Sequence, residues 1–175
     1  LALARKNGVD IGQSTVEEVQ ATYQFNDLTS FLAVYYPAMD VLQDEDDFHD
    51  LAAAYFERAR ANGVVRAECF FDPQAHTSRG IAIETVIRGY HRAVVEAREA
   101  GLSADLILCF LRDMSAQSAL ETLQAALPYK DMFIGVGLDS DERDNPPTKF
   151  ADVFALARQT GLHVTMHCDI DQVGS

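Results

Sequence analysis

Asp105-Leu-Ile-Leu-Cys-Phe-Leu111 decides how this chain folds. Apolar residues run without a break from Leu106 to Leu111, with no polar residue alternating between them. Such a run, too short for a core helix, predicts a strand covered on both faces, as in a parallel sheet between other layers. Three similar runs lie around it. Val64-Val-Arg-Ala-Glu-Cys-Phe-Phe71, closed by Asp72-Pro73, predicts an earlier strand, Met132-Phe-Ile-Gly-Val-Gly-Leu138 a later one, and residues 162–168 a fourth. Helical spacing fills the gaps: residues 83–100, a helix capped by Ser115 and stopped by Pro128, and residues 148–160. A polar loop is expected from Pro73 to Gly80, and an acidic loop from Asp139 to Pro147. Strand and helix thus alternate in units of about thirty residues, the size of a βα unit. The fold class is α/β with a parallel sheet.

Residues 1–63 read as a helical segment before the βα units of residues 64–175, the whole forming a single domain. Ser14-Thr-Val-Glu17 has the spacing of a capping box. Asp27 is placed to cap a helix carrying Leu28, Phe31, Leu32 and Tyr35 at helical spacing. Phe48, Leu51, Ala52, Tyr55 and Phe56 repeat that spacing in a helix that stops near Asn62-Gly63. The acids at 44–47 suit its N-terminus. Tyr35, Tyr36 and Met39 are expected to pack in the core, and His49 and His91 to lie on the surface.

Gly161-Leu-His-Val-Thr-Met-His167-Cys-Asp-Ile-Asp-Gln172 carries the candidate chemistry. In an extended strand His163, Thr165, His167 and Asp169 point to one face. A histidine at the C-terminal end of a strand, with acids just beyond, is where a barrel enzyme would hold a metal and a proton shuttle. The bland reading is a loop histidine capped by acids. Asp72, Arg112-Asp113, Asp139 and Asp169 all fall at strand ends, the edge where α/β proteins bind ligands. Acids there can equally cap the helices that follow.

The sequence holds 27 acids against 14 Lys and Arg, a formal charge of -13. Such a surface repels phosphate backbones and anionic membranes, so neither nucleic acid nor membrane is expected as a partner. Cys69, Cys109 and Cys168 form no CxxC pair, and their odd number argues against a disulfide framework and for a reducing cytoplasm. The chain starts at Leu1 within a helical pattern and stops just past a strand, so both ends look cut, and open sheet edges invite homo-oligomerisation.

With these pieces laid out, the chain resembles the adenosine/adenine deaminase family of zinc aminohydrolases, in its adenine-deaminase-like branch. Phe70-Phe-Asp-Pro-Gln-Ala-His-Thr77, Gly135-Val-Gly-Leu-Asp-Ser140 with Pro146-Pro147-Thr-Lys-Phe150, and Gly161-Leu-His-Val-Thr-Met-His167 carry the likeness. The resemblance implies part of a (β/α)₈ TIM-type barrel, about four βα units, with the first strand and the last three absent. It implies one zinc ion per full-length subunit. Of the family's ligands (two histidines on the first strand, one each on the fifth and sixth, an aspartate on the eighth), only the fifth-strand position matches, at His167. This chain alone is therefore expected to be inactive. The family commonly continues that histidine with Ala-Gly-Glu, and the Glu moves protons. Here Ile170 stands at its position, and Asp169 or Asp171 is the candidate replacement.

The implied reaction is hydrolytic deamination of a 6-aminopurine (adenine, adenosine or an N6-substituted adenine). It gives the 6-oxopurine and ammonia or an amine, with a small purine as the partner molecule. Phe71 is expected to wall or stack on the base, Asp139 and Ser140 to border it, and Asp72 and His76 to lie where adenosine-type members accommodate the sugar. His163 is expected to pack or to support a ligand. The alternative is a non-catalytic purine-binding relative, suggested by Ile170.

Overall fold

In a computed structural model of the chain, which describes residues 1–168, each of the four apolar runs contains a strand. They are β1 (Arg66–Phe71), β2 (Ser103–Leu111), β3 (Gly135–Asp139) and β4 (His163–Val164). Every pairing is parallel, and the order across the sheet follows the order along the chain. Eight helices accompany them: α1 (Ala2–Asn7), α2 (Val16–Ala21), α3 (Leu28–Ala38), α4 (Glu45–Ala61), α5 (Gln74–Thr77), α6 (Ile83–Glu99), α7 (Ala116–Ala126) and α8 (Ala151–Gln159). α6, α7 and α8 are the crossovers that parallel neighbours require. None of the described helices is long and apolar enough to cross a membrane.

The period of two along each strand sorts side chains between two faces. One face carries Ala67, Phe71, Leu106, Leu108, Phe110, Val136 and Leu138, all buried. They pack with Phe48 and Phe56 of α4, Val86, Ile87 and Val94 of α6, Leu123 of α7, and Val153 and Phe154 of α8. Each such side chain removed from water contributes roughly 1.5–3 kcal/mol before conformational entropy is set against it. The opposite face is left for the side chains that carry chemistry.

Local departures from the sequence expectations have physical causes. The segment after Asp72-Pro73 is not all loop, because Pro73 starts the single turn α5. The helix capped by Ser115 does end before Pro128, at Ala126, but the chain continues as a 3₁₀ segment, Leu127–Met132, with Pro128 in its first turn where the missing N–H is not needed. The capping box of α2 is Thr15 with Glu18, one residue later than expected. The Glu18 carboxylate also accepts from Ser14 N at 2.6 Å, so Ser14 is held without being the cap. β4 is only two residues long, yet its backbone stays in register beyond them, with Thr165 N donating to Val136 O at 3.0 Å and His167 N to Leu138 O at 2.8 Å.

The N-terminal helices behave less uniformly than their spacing suggests. Asp27 and Asp44 cap α3 and α4 as expected. Asp47, however, is fully buried, and its carboxylate accepts from Lys6, Asn7 and the backbone of Gln43, tying α1 to α4. α3 has no buried residue, and Tyr35 is 38% exposed, so this aromatic stretch is not core. Its outward position puts it over the strand ends. His49 is not a free surface residue: its ring meets Asp50 and Glu96 at 2.9 Å each, bridging α4 to α6.

Gly89 sets the distance between α4 and α6. A Cβ there would fall 2.5 Å from Glu45 O and 2.6 Å from Phe48 Cβ. Helix propensity alone favours Gly89→Ala by ~1 kcal/mol, whereas the close approach opposes it. Packing is expected to win, with a net loss of about 1–3 kcal/mol in denaturant unfolding. A gain in stability would show that the two helices are free to separate.

Candidate active site

Pairing register brings one face of the strands together at their C-terminal ends. Phe70 pairs with Ile107, Ile107 with Gly135, and Gly135 with His163. Two residues further along, Asp72, Cys109, Gly137 and Thr165 share that face, and Asp139 and His167 close it. A Cβ on Gly137 would fall 2.5 Å from Cys109 Sγ, so the glycine makes room for the thiol. Asp72, Cys109 and Asp139 each offer a ligand atom, and these lie within 4.8 Å of one another.

The two carboxyls perturb each other. Burial holds Asp139 well above the ordinary carboxylate range, and the negative charge of Asp72 pushes it further. Asp72 is raised by burial too, but its hydrogen bond with Asp139 and the His167 imidazole pull it back. The two carboxyls therefore titrate as one pair that resists losing both its protons. Burial is also the main cause that raises the Cys109 thiol, so it stays protonated and donates to Asp139. One oxygen of each carboxyl, Oδ1, is buried with no hydrogen-bond partner among the described residues. Those two atoms are free to meet a ligand.

His167 stands beside this pair with its ring edge-on to Phe70, centroids 4.9 Å apart and planes at 85°. Its backbone is held on both sides: its N–H donates to Leu138, and its carbonyl accepts from Arg112 Nη1 at 2.9 Å. Tyr35 and Tyr36 of α3 lie over the same region. Burial, then the charges of Asp72 and Asp139, push the Tyr35 phenol up to about 12. Tyr36 is raised for the same reasons and lies beside Ser140. Ser140 is buried and takes a φ of 72°, a left-handed turn directly after Asp139.

The structure thus brings together Asp72, Asp139, Ser140 and His167 of the residues singled out from the sequence. Two others are placed elsewhere. Phe71 is 4% exposed and packs in the helix-facing core against Tyr90, centroids 5.6 Å apart. The aromatic beside His167 is its neighbour Phe70, because alternate strand residues face opposite ways. His76 is also interior, edge-on to Phe48 at 4.8 Å with its Nδ1 at 3.0 Å from Arg79, and burial lowers its pKa to about 4. It is a neutral packing residue. Asp169 and Asp171 lie outside the described residues.

Four participants were missed. Phe70 and Cys109 could have been found by continuing the parity of His167 across the sheet. Gln74 left no sequence signal, and Arg112 stood out only by its place at a strand end, with nothing local to show its partners. Gln74 accepts from Leu111 N at 2.9 Å and donates to Ser118 Oγ at 2.8 Å, fixing the turn after Asp72 to the end of β2.

A cation fits this corner. The His167 imidazole is a borderline donor of the kind a divalent ion such as zinc accepts, and the buried carboxyls beside it make the surroundings favourable to positive charge. His167 offers one ligand, and a zinc site takes about four.

The sequence profile described as adenosine deaminase matches residues 1–169. An adenine deaminase of Geotalea uraniireducens is 55% identical over 166 residues, covering 94% of this chain and 47% of the relative. The crystal structure of an adenine deaminase from Arthrobacter aurescens superposes with a TM-score of 0.94 at 46% identity, over 98% of this chain and 53% of that one. An amidohydrolase from Burkhoderia ambifaria, solved with bound Zn, gives a TM-score of 0.78 at 29% identity, over 95% of this chain and 46% of that one. The chain spans about half the length of these relatives, and its sheet corresponds to part of their TIM-type barrel.

Two carboxyls forced together store electrostatic strain. An acid whose pKa is raised on folding favours the fold below its unfolded pKa and opposes it as pH rises, so at neutral pH the Asp139 charge is a penalty. Asp139→Asn keeps a donor toward Asp72 and removes the repulsion. Its urea midpoint at pH 7 is expected to rise by the equivalent of ~1 kcal/mol or more, with the gain shrinking toward pH 4. An unchanged or lower midpoint at pH 7 would contradict the paired arrangement.

Proposed function

This chain belongs to the adenosine deaminase family, and on that premise we propose that it supplies the base-facing part of a zinc-dependent enzyme that hydrolyses the C6 amino group of adenine to release ammonia. The observation that carries this reading is the proton-sharing pair Asp72–Asp139 beside His167. Their Oδ1 atoms, buried and without a partner among the described residues, offer hydrogen-bond acceptors beside it. The five-membered ring of free adenine carries an N–H that such an acceptor can meet. In adenosine the sugar replaces that N–H, and the acceptor of the pair is left without a partner. A site built to bond a polar hydrogen discriminates strongly against the analogue that lacks it. The high identity to adenine deaminases agrees with this preference.

Phe70 is proposed to present its apolar surface to the purine plane, and Ser140 to border it. His167 is the residue of this chain that would hold the zinc ion. The ion, when bound, supplies an activated water at neutral pH. A proton must also travel to the ring, and Asp169 or Asp171 is proposed to carry it, with Asp139 holding the base in place. Ile170, at the position where the family keeps a proton-moving Glu, cannot do so.

The test is ammonia release by the complete polypeptide with zinc. Adenine is expected to turn over, adenosine to be worse by a factor of ~10² or more, and chelation to abolish the reaction. Phe70→Ala is expected to raise KM for adenine by about tenfold, the equivalent of ~1.4 kcal/mol of lost contact. A zinc-loaded protein that binds purines but releases no ammonia would instead establish the non-catalytic relative.

A further inference from the structure

Arg112 is the largest of the fully buried side chains, 1% exposed, and the reaction gives its charge no task. A guanidinium taken out of water needs partners for its donors. It finds them in two parts of the chain, the loop of residues 142–145 and His167, while Nη2 is buried without a hydrogen-bond partner among the described residues. Nε donates to Asn145 O at 2.9 Å, and Nη1 donates to His167 O at 2.9 Å. Nη1 also lies 3.6 Å from the carboxylate of Glu142, itself 1% exposed. The clasp is braced from outside. Lys149 Nζ donates to Arg112 O and to Asn145 Oδ1, at 2.9 Å each. Asn145 Nδ2 donates to the carbonyls of Asp141 and Arg143, and Arg112 N donates to Asp139 O at 3.0 Å.

We propose that Arg112 is a positioning residue that fixes the His167 imidazole for metal binding, by holding the His167 carbonyl to the loop of residues 140–149. β4 is bonded to β3 on one side, and its regular pairing ends at Val164. The N–H of His167 is tied to Leu138, so the carbonyl is the remaining handle on its backbone. With both ends of the residue fixed, the Cα–Cβ direction is fixed, and the ring stays against Phe70 and beside Asp72. The same bond orients the peptide that leads into Cys168. A guanidinium suits this work because its donors diverge in one rigid plane, which an ammonium cannot copy. The inference rests on the reading of His167 as a zinc ligand.

Removing Arg112 alone would take a cationic partner from the buried Glu142 carboxylate and could damage the fold for a trivial reason. Replacing both by apolar residues of similar size is often tolerated. The test is therefore Arg112→Met with Glu142→Met in the complete polypeptide. Zinc affinity is read by chelator competition, kcat and KM with adenine, and the fold by thermal melting. Loss of a group that orients a metal ligand typically weakens metal affinity or activity by about 10- to 100-fold. That loss is expected in zinc affinity and kcat, with KM little changed and the melting transition cooperative. Near-native zinc affinity and kcat in a folded double variant would overturn the role of Arg112 and leave the deaminase reading intact. If the unaltered protein binds no zinc, both fall. Should the double variant not fold, Arg112→Lys carries the test: it keeps the charge but not the fork, and a zinc affinity equal to the unaltered protein's would overturn the proposal.

Discussion

The alternation of side chains along parallel strands governs everything built on this chain. One parity sends Phe71, Leu106, Leu108, Phe110, Val136 and Leu138 into the helix layer, where their burial holds the fold. The other sends Phe70, Cys109, Asp139 and His167 to the opposite face. A shift of one residue in any strand would exchange the two sets. Stability and chemistry are thus written on the same strands in alternate letters, and neither can be moved without the other.

The consequence is an environment that water alone could not provide. Asp72 and Asp139 are brought close by strands whose spacing is set by backbone hydrogen bonds, so they cannot relax apart. Burial and mutual repulsion keep a proton between them. Cys109 reinforces this by donating rather than ionising, and Gly137 leaves it the space. The corner carries unmet hydrogen-bonding capacity, which a base or a cation can satisfy. A fold selected only for stability would remove such a pair; its retention in the candidate active site is consistent with stability being traded for binding.

Much of this was legible in the amino-acid order, and what was not has a common cause. The apolar runs identified the strands, most clearly β2 and β3, which are buried on both faces, whereas β1 alternates exposed Arg66 and Glu68 with buried residues. The strand-end acids and His167 stood out because chemistry collects at that edge. Phe70 and Phe71 are adjacent and identical, so composition could not say which faces the site; only the register with β2 decides it. His76 and Asp47 look like polar surface residues and are buried, His76 against the distant Phe48 and the nearby Arg79, Asp47 against the distant Lys6 and Asn7. Arg112 is the extreme case, since its acceptors lie 33 and 55 residues away along the chain. Local patterns find elements, whereas contacts of that range exist only after folding.

The central claim is that the His167 imidazole meets a metal ion at the strand-end corner beside Asp72 and Asp139. Anomalous scattering at the zinc edge from crystals of the complete polypeptide measures this directly. The account predicts one strong peak ~2.0–2.1 Å from a ring nitrogen of His167. A zinc peak bound elsewhere, with none near a ring nitrogen of His167, would contradict it.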